Sequence, residues 1–254
     1  MAIKKIKKAS EASEASEGTG LATLPRASMP AFMQRNEGTT GMEDMSGEST
    51  APRIQLAQGL SPQVNRADQQ YIEGLQAGEF FNALTGENLG ESFDGYILKV
   101  YPSRALFTED NEVDCFSADS VHGSKHSPLC KDCPFGGWGT DRTPPECKTF
   151  ENLVVLPEGA EVPAILGIKQ SNKHATAATR NLRTHLRLHG HAGTYAAKYR
   201  FTARSASNAK KQSFYITTAQ PVGYVEGEAL YNRLAAMAET FANINQQKGG
   251  GDGE

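Results

Sequence analysis

All four cysteines of this 254-residue chain fall in one 33-residue window, and this clustering constrains the fold more than any other feature. Their spacing is C-x14-C-x2-C-x13-C, so the inner pair forms a C-x-x-C turn. Thiols grouped in this way are typical of a structural zinc site, in which each sulfur is one corner of a tetrahedron. We therefore predict a structural zinc ion whose four ligands are Cys115, Cys130, Cys133 and Cys147.

Other chemistries are open to the same loop, which we place at residues 112–149. An iron–sulfur cluster uses the same ligands and is the minority alternative to zinc. His122 or His126 could replace Cys115 in a Cys3His site, although the favoured interpretation makes both ordinary polar loop residues. Trp138 is interpreted as an apolar plug on the loop, with an exposed base-stacking surface as its alternative.

Composition sets the class of protein and its compartment. An apolar content of 38% suffices for a packed core, and no apolar run of about 18 residues predicts a membrane span. The basic N-terminus lacks the apolar stretch of a secretory signal. We therefore expect a cytoplasmic protein without membrane contact, where reduced thiols favour metal over disulfides.

The distribution of charge is strongly asymmetric. Residues 163–225 contain ten Lys or Arg and no Asp or Glu, whereas the rest of the chain has 16 basic and 29 acidic residues. Such a one-sided segment indicates a polyanionic partner, and nucleic acid is favoured over a merely solvated basic face.

Patterning predicts a disordered arm over 1–52, a folded domain over 53–225, a helix over 226–247 and a flexible tail over 248–254. Residues 67–75 are read as a short helix or the approach to a strand. Alternation and β-forming residues predict the strands of the domain, with a bend at 101–103 between the first two. They are expected at 92–100, 104–108, 150–156, 163–168, 194–204 and 212–219.

One amphipathic helix is predicted before the C-terminal one, over Ser171–His189. Ser171 or Asn172 is a suitable N-cap, and Gly190 ends the helix. Its apolar stripe and basic ridge follow helical spacing. The stripe is Ala175, Ala178, Leu182 and Leu186, and the ridge is Lys173, Arg180, Arg183 and Arg187.

No catalytic constellation is recognisable in the sequence. A Walker A loop, a G-x-S-x-G elbow, an H-E-x-x-H helix and the zinc-deaminase pattern are all missing. We therefore predict that the chain is not an enzyme, and a DNA-processing enzyme is the least favoured of three functions.

The quoted segments "GEFFNALTGENLGESFDGYILKVYPSRALF", "CKDCPFGGWG", "PAILGIKQSNKHATAATRNL" and "YRFTARSASNAKKQSFYI" resemble a family of small bacteriophage-encoded proteins. The resemblance covers about residues 78–220. It implies a mainly β, α+β chain with an OB-like small barrel, an inserted four-cysteine zinc loop and a role in binding single-stranded DNA or in replication.

These observations lead to a first hypothesis of a single-stranded DNA-binding protein that acts in phage replication or recombination, alongside proteins of those processes. A zinc-organised protein-interaction module that modulates a host factor is the alternative. Basic and aromatic side chains of the acid-free segment are the predicted binding residues. They are Lys169, Lys173, Arg180, Arg183, Arg187, Lys198, Tyr199, Arg200, Arg204, Lys210, Lys211 and Tyr215.

Overall fold

The structure is a computed structural model that describes residues 52–109, 112–139, 143–170, 172–208 and 211–241. Nearly all of the predicted arm over 1–52 and all of the predicted tail over 248–254 lie outside the described residues. The predicted C-terminal helix is described only as far as residue 241.

One nine-stranded sheet organises the described residues, and most of its pairings are antiparallel. Its strands are β1 Arg53–Leu56, β2 Phe80–Asn82, β3 Asn88–Gly90, β4 Ser92–Phe107, β5 Val113–Ser117, β6 Lys148–Pro157, β7 Ala164–Lys169, β8 Ala197–Ser207 and β9 Ser213–Tyr224. The order across the sheet is β3-β2-β1-β7-β6-β4-β8-β9, and β5 pairs with β4 beside this path. Only the pairing of β1 with β7 is parallel among those described.

The sheet curls into a half-barrel. The segment that follows β1 reaches β9, where the side chain of Gln58 makes two hydrogen bonds to the backbone of Tyr215. The expectation of a mainly β, α+β chain with a barrel-like sheet is therefore confirmed. The finer assignment to an OB fold stays a prediction.

β4 is a single strand of 16 residues, so the predicted bend at 101–103 is wrong. Pro102 lacks an N–H, but it pairs with Glu151 of β6 on one side only. The pairing with β8 ends at Tyr96 and the pairing with β5 begins at Arg104. Because the other edge of β4 is open between them, the proline costs no ladder hydrogen bond there.

Each face of the sheet packs against one α-helix. On one face Leu182 of α1 (Lys173–His189) joins a core that includes Ile97, Leu153 and Phe201. On the other, Leu234 of α2 (Glu228–Thr240) packs with a cluster that includes Tyr96, Leu98, Val154 and Leu156. The alternation of side chains along β4 and β6 produces this division.

α1 begins and ends where the sequence predicts. The Asn172 side chain accepts hydrogen bonds from the backbone of His174 and Ala175, which makes it the N-cap. Gly190 follows the last turn. Residues 67–75 form successive turns, so of the two predicted alternatives the short helix is wrong, and the next strand begins at Phe80. In the described residues the α-helices are α1 and α2.

Candidate nucleic-acid interface and cysteine cluster

The four cysteines come together although they belong to separate elements. Cys115 lies in β5, Cys130 begins a short 3₁₀ turn, Cys133 follows that turn, and Cys147 directly precedes β6. All four are free thiols, and all four line one cavity of ≈ 20 Å³. This volume matches a single water-sized body, since one water needs at least about 10–15 Å³ by this measure.

Among the residues that the structure describes, no three His, Cys, Asp or Glu side chains converge as ligands of one metal ion. The four thiols therefore line one cavity of suitable size, but the described side chains are not positioned as ligands of a single metal ion. Zinc and an iron–sulfur cluster both stay predictions.

Donors from the loop that follows β5 surround Cys115. The Ser124 hydroxyl donates to Cys115 Sγ over 3.7 Å. Burial opposes ionisation of this thiol, but hydrogen bonds from the backbone of His126, the Ser124 hydroxyl and the backbone of Lys125 and Ser124 outweigh burial and lower its pKa. The loop is thus arranged to stabilise a thiolate, which is the metal-binding form.

A guanidinium group lies beside the same cavity. Burial and the other three cysteines raise the pKa of the Cys147 thiol, while the charge of Arg104 opposes that rise. The Nε of Arg104 is buried and has no hydrogen-bond partner in the described residues. Four thiolates around a divalent ion carry a net negative charge, so an adjacent guanidinium fits the predicted site electrostatically.

Both loop histidines are held by carboxylates. His122 Nδ1 lies 2.6 Å from Asp119 Oδ2, and His126 Nε2 lies 2.5 Å from Asp114 Oδ2. His126 also lines the cysteine cavity. Trp138 is 71% exposed, which does not fit its interpretation as an apolar plug on the loop, and the alternative of an exposed aromatic surface agrees with its position.

Three of the predicted binding cations are paired with acids from outside the acid-free segment. Lys198 Nζ lies 3.1 Å from Glu158, and Arg200 forms a two-pronged pair with Asp94 at 2.8 and 2.9 Å. Arg183 is bound in the same way by Glu151, at 2.9 and 2.5 Å. The outward face of β8 is therefore less positive than its sequence indicates.

Two other predicted residues cannot be placed on a binding surface. Tyr199 is fully buried in the core, with an exposed fraction of 0%, and has no surface on which a base could stack. Lys210 lies outside the described residues.

The basic ridge of α1 is largely free of acidic partners. Lys173, Arg180 and Arg187 are exposed, and no ion pair of the described residues involves them. Arg204 and Lys211 of the hairpin are exposed and unpaired by the same criterion.

A large groove, which we call the aromatic groove, connects the sheet with the start of α1. It has a volume of ≈ 930 Å³ and takes residues from β1, β4, β5, β6, β7 and β9. Its lining combines six aromatic side chains with two cationic ones and, among the described residues, no acidic one. The aromatic residues are Tyr101, Phe107, Phe116, Phe150, Phe214 and Tyr215, and the cations are Arg53 and Lys169.

The groove is organised around Phe107. Its ring meets that of Phe150 edge-on at 6.3 Å between centroids, and Lys169 Nζ lies 6.0 Å from the Phe107 centroid. Although Lys169 is exposed, desolvation by its surroundings lowers its pKa, and the nearby charge of Lys148 adds to the effect. A cation above an aromatic wall offers an anion and a flat ring adjacent places to bind.

Lys169 and Tyr215 are the predicted binding residues that line this groove, whereas Arg53, Tyr101, Phe107, Phe150 and Phe214 were not predicted. These residues come from four different strands, so no single segment of sequence displays them together. One signal was present: Asn152 and Gly167 interrupt two strongly apolar strands, and a glycine inside a strand often marks close approach of a ligand or backbone.

Comparison with known proteins gives one match. Residues 18–104 match a family model described as Pam3 phage gp34-like protein. The similarity indicates a bacteriophage protein. The matched segment covers about a third of the chain and ends within β4, before the cysteine loop and α1. No curated protein and no solved structure matches the chain.

The match adds nothing on DNA binding or replication, so those parts of the resemblance stay predictions. In the part of the chain that the structure describes, neither α-helix has the length and apolar character needed to cross a membrane.

Proposed function

We propose that this chain is a non-enzymatic single-stranded DNA-binding protein of a bacteriophage, which acts in replication or recombination in the host cytoplasm. The observation that carries the proposal is the aromatic groove, with six aromatic and two cationic side chains and no acid in its described lining. Proteins that bind single strands without reading sequence combine aromatic platforms with a cationic track for the phosphates.

The groove and the α1 ridge supply these two parts. Unstacked bases enter the groove and pack on rings such as Phe107 and Phe150. Phosphates meet Lys169 in the groove and then Lys173, which directly follows the groove-lining Asn172. A duplex keeps its bases stacked inside the helix, so this surface favours a single strand.

The cysteine loop supports the groove from one side. Phe116 lines both the groove and the cysteine cavity, next to Cys115. In the described part of the loop only Cys130 and Ser117 are buried, so an apolar core does not hold it. A zinc ion bound by the four cysteines would cross-link these segments, with Arg104 offsetting the charge of the thiolates.

Fluorescence anisotropy tests the proposal, with labelled single-stranded DNA, duplex DNA and RNA at two salt concentrations. We expect tightest binding to single-stranded DNA, with an affinity that falls as salt rises because bound counterions are released. Failure to bind any of these oligonucleotides at low salt would contradict the proposal.

Two substitutions that each remove one positive charge, from opposite faces of the sheet, make the test more specific. Arg180→Ala removes an unpaired cation from the α1 ridge and is expected to make the slope of log K against log salt shallower by about 0.7. Arg233→Ala removes the same charge from α2 on the other face of the sheet and serves as the control. Equal effects of both substitutions would mean that binding does not use the ridge.

A protein-interaction module is the second candidate, because the cysteine loop exposes apolar side chains. Trp138 is 71% exposed, and Val121 and Val113 are 51% and 59% exposed. Aromatic residues on a surface are enriched at protein interfaces. Absence of nucleic-acid binding, together with retained folding and bound metal, would favour this function.

A further inference from the structure

A buried polar pair lies on the floor of the aromatic groove. Asn152 of β6 and Ser103 of β4 are 6% and 4% exposed, and both line the groove. Asn152 Nδ2 donates to Ser103 Oγ at 2.7 Å and to the carbonyl oxygen of Tyr101 at 3.4 Å. These two bonds fix the orientation of the amide.

The other end of the amide has no partner among the described residues. Asn152 Oδ1 accepts no hydrogen bond from the described part of the chain. Although the residue is nearly buried, Oδ1 is not among the solvent-excluded atoms that lack a partner, so it is open to the groove and available to a donor. Such an atom at the base of an open groove is a position where a ligand donor would be bound favourably.

Gly167 keeps this acceptor open. It lies directly beside Asn152 in the pairing of β6 with β7, and it is exposed within a strand whose neighbours on both sides are buried. A Cβ built on Gly167 would lie 3.4 Å from Asn152 Oδ1. Any other residue at this position would therefore fill the space above the acceptor, which we call the Gly167 notch.

Rings and charge surround the notch. Phe150 lies two residues before Asn152 on β6, and Lys169 lies two residues after Gly167 on β7, so each shares a face with its partner. Both line the groove. The notch thus places a fixed acceptor, an aromatic ring and a cation on neighbouring positions of two paired strands.

We propose that the Gly167 notch is a nucleobase subsite, an inference that rests on the proposed single-strand binding. One base enters the notch, donates an amino or imide N–H to Asn152 Oδ1 and packs against Phe150, while Lys169 meets an adjacent phosphate. Every standard base carries an N–H donor on its pairing edge. The subsite therefore distinguishes a nucleotide that has a base from an abasic one, rather than one base from another.

Gly167→Ala is the decisive variant, because its methyl group occupies the notch at ordinary contact distance and leaves φ in a common region. Anisotropy titrations compare a labelled oligothymidylate with an abasic oligomer of equal length and charge. We expect Gly167→Ala to lower the preference for the base-bearing strand about fivefold, the value of one neutral hydrogen bond, with little change for the abasic strand. Gly223→Ala, on β9 with no atom within 4 Å of the added Cβ, is the matched control.

An unchanged preference in a folded Gly167→Ala protein would overturn the subsite while leaving single-strand binding intact. Failure of the unaltered protein to bind either oligomer would instead overturn the proposed function. Should Gly167→Ala lower the melting temperature, Phe150→Leu tests the same subsite through loss of the ring. An unchanged preference for the base-bearing strand in that variant would also overturn the subsite.

Discussion

The side-chain amide of Gln58 pairs with both backbone groups of Tyr215. Its Nε2 donates to the Tyr215 carbonyl oxygen at 3.1 Å, and its Oε1 accepts from the Tyr215 N–H at 2.8 Å. An amide presents one donor and one acceptor as a peptide unit does, so Gln58 acts as a one-residue strand at the edge of β9. Because four strands separate β1 from β9 in the sheet, this contact links distant parts of the curl.

Gln58→Ala is expected to lower the free energy of unfolding by about 1–2 kcal/mol, since two neutral hydrogen bonds are lost. It should also weaken single-strand binding, because Tyr215 lines the groove. Urea denaturation and anisotropy measure the two effects. Gln220→Ala, an exposed glutamine of β9, is the control and should change neither. Equal stability of the two variants would show that Gln58 does not hold the curl.

Arg183 and Arg180 lie on the same helix and are expected to have opposite roles. The hydrogen bonds from Arg183 to Glu151 raise the pKa of Arg183, against the effect of burial, and the Glu151 side chain is only 3% exposed. Arg183→Ala leaves that carboxylate buried without its cation and should lower the free energy of unfolding by about 2 kcal/mol. The loss is smaller than for a fully buried pair because the Arg183 side chain is 52% exposed. Arg180→Ala should leave stability unchanged and weaken DNA binding. Chemical denaturation of both variants checks this difference.

The double variant Glu151→Leu/Arg183→Met separates the ion pair from the packing. Replacing both partners by apolar residues removes the unpaired charge, so stability should return close to that of the unaltered protein. Continued loss of stability in the double variant would mean that the pair has a role beyond mutual neutralisation.

Local pattern was sufficient for much of the fold. Tyr199 and Phe201 share one face of β8, and both lie in the core, although Tyr199 was predicted to bind nucleic acid. Asn172 and Gly190 bound α1 as predicted. These features depend on residues close in sequence, whose side chains repeat with the period of a strand or a helix. The same reasoning missed β1, which is too short to show a pattern.

The binding surface depends on contacts that sequence order does not display. The acid-free segment appears uniformly basic, but Asp94, Glu151 and Glu158 reach it from β4, β6 and the turn after β6. In the same way, Phe107 and Phe150 meet only because β4 and β6 are paired. Long-range pairing therefore decided which predicted cations are free and which aromatic residues form the groove.

Tyr199→Phe is expected to stabilise the protein. The Tyr199 hydroxyl is buried and makes no hydrogen bond in the described residues, so its removal relieves a desolvation cost of about 1 kcal/mol. Burial, with a smaller contribution from Tyr224, raises the pKa of Tyr199 to about 12 from an ordinary value of 10.0. The Tyr199 hydroxyl therefore ionises at a lower pH in the unfolded chain than in the folded one. Its titration leaves the free energy of unfolding unchanged below pH 10 and lowers that free energy as the pH rises towards 12.

The measurement is denaturation of both proteins at neutral pH and at several alkaline values. The variant should be more stable at neutral pH and should lose less stability on alkaline titration. A less stable Tyr199→Phe protein at neutral pH would mean that the hydroxyl has a partner, such as an ordered water.

Cys130→Ser tests the predicted metal site at its buried cysteine, which is 8% exposed. Elemental analysis of the unaltered protein should give one zinc per chain without visible absorption, whereas an iron–sulfur cluster would give iron and colour. Because the described part of the loop has almost no buried apolar side chain, loss of zinc should lower the melting temperature and release β5. Phe116 of β5 lines the groove, so single-strand affinity should fall in the same variant.

Lys131→Ala is the matched control for this test, because Lys131 directly follows Cys130 in the same turn but is exposed and carries no thiol. It should keep its zinc and its melting temperature, since the four sulfur ligands are unchanged. If Cys130→Ser behaved like this control, with zinc and melting temperature both retained, the cysteines would not hold the loop.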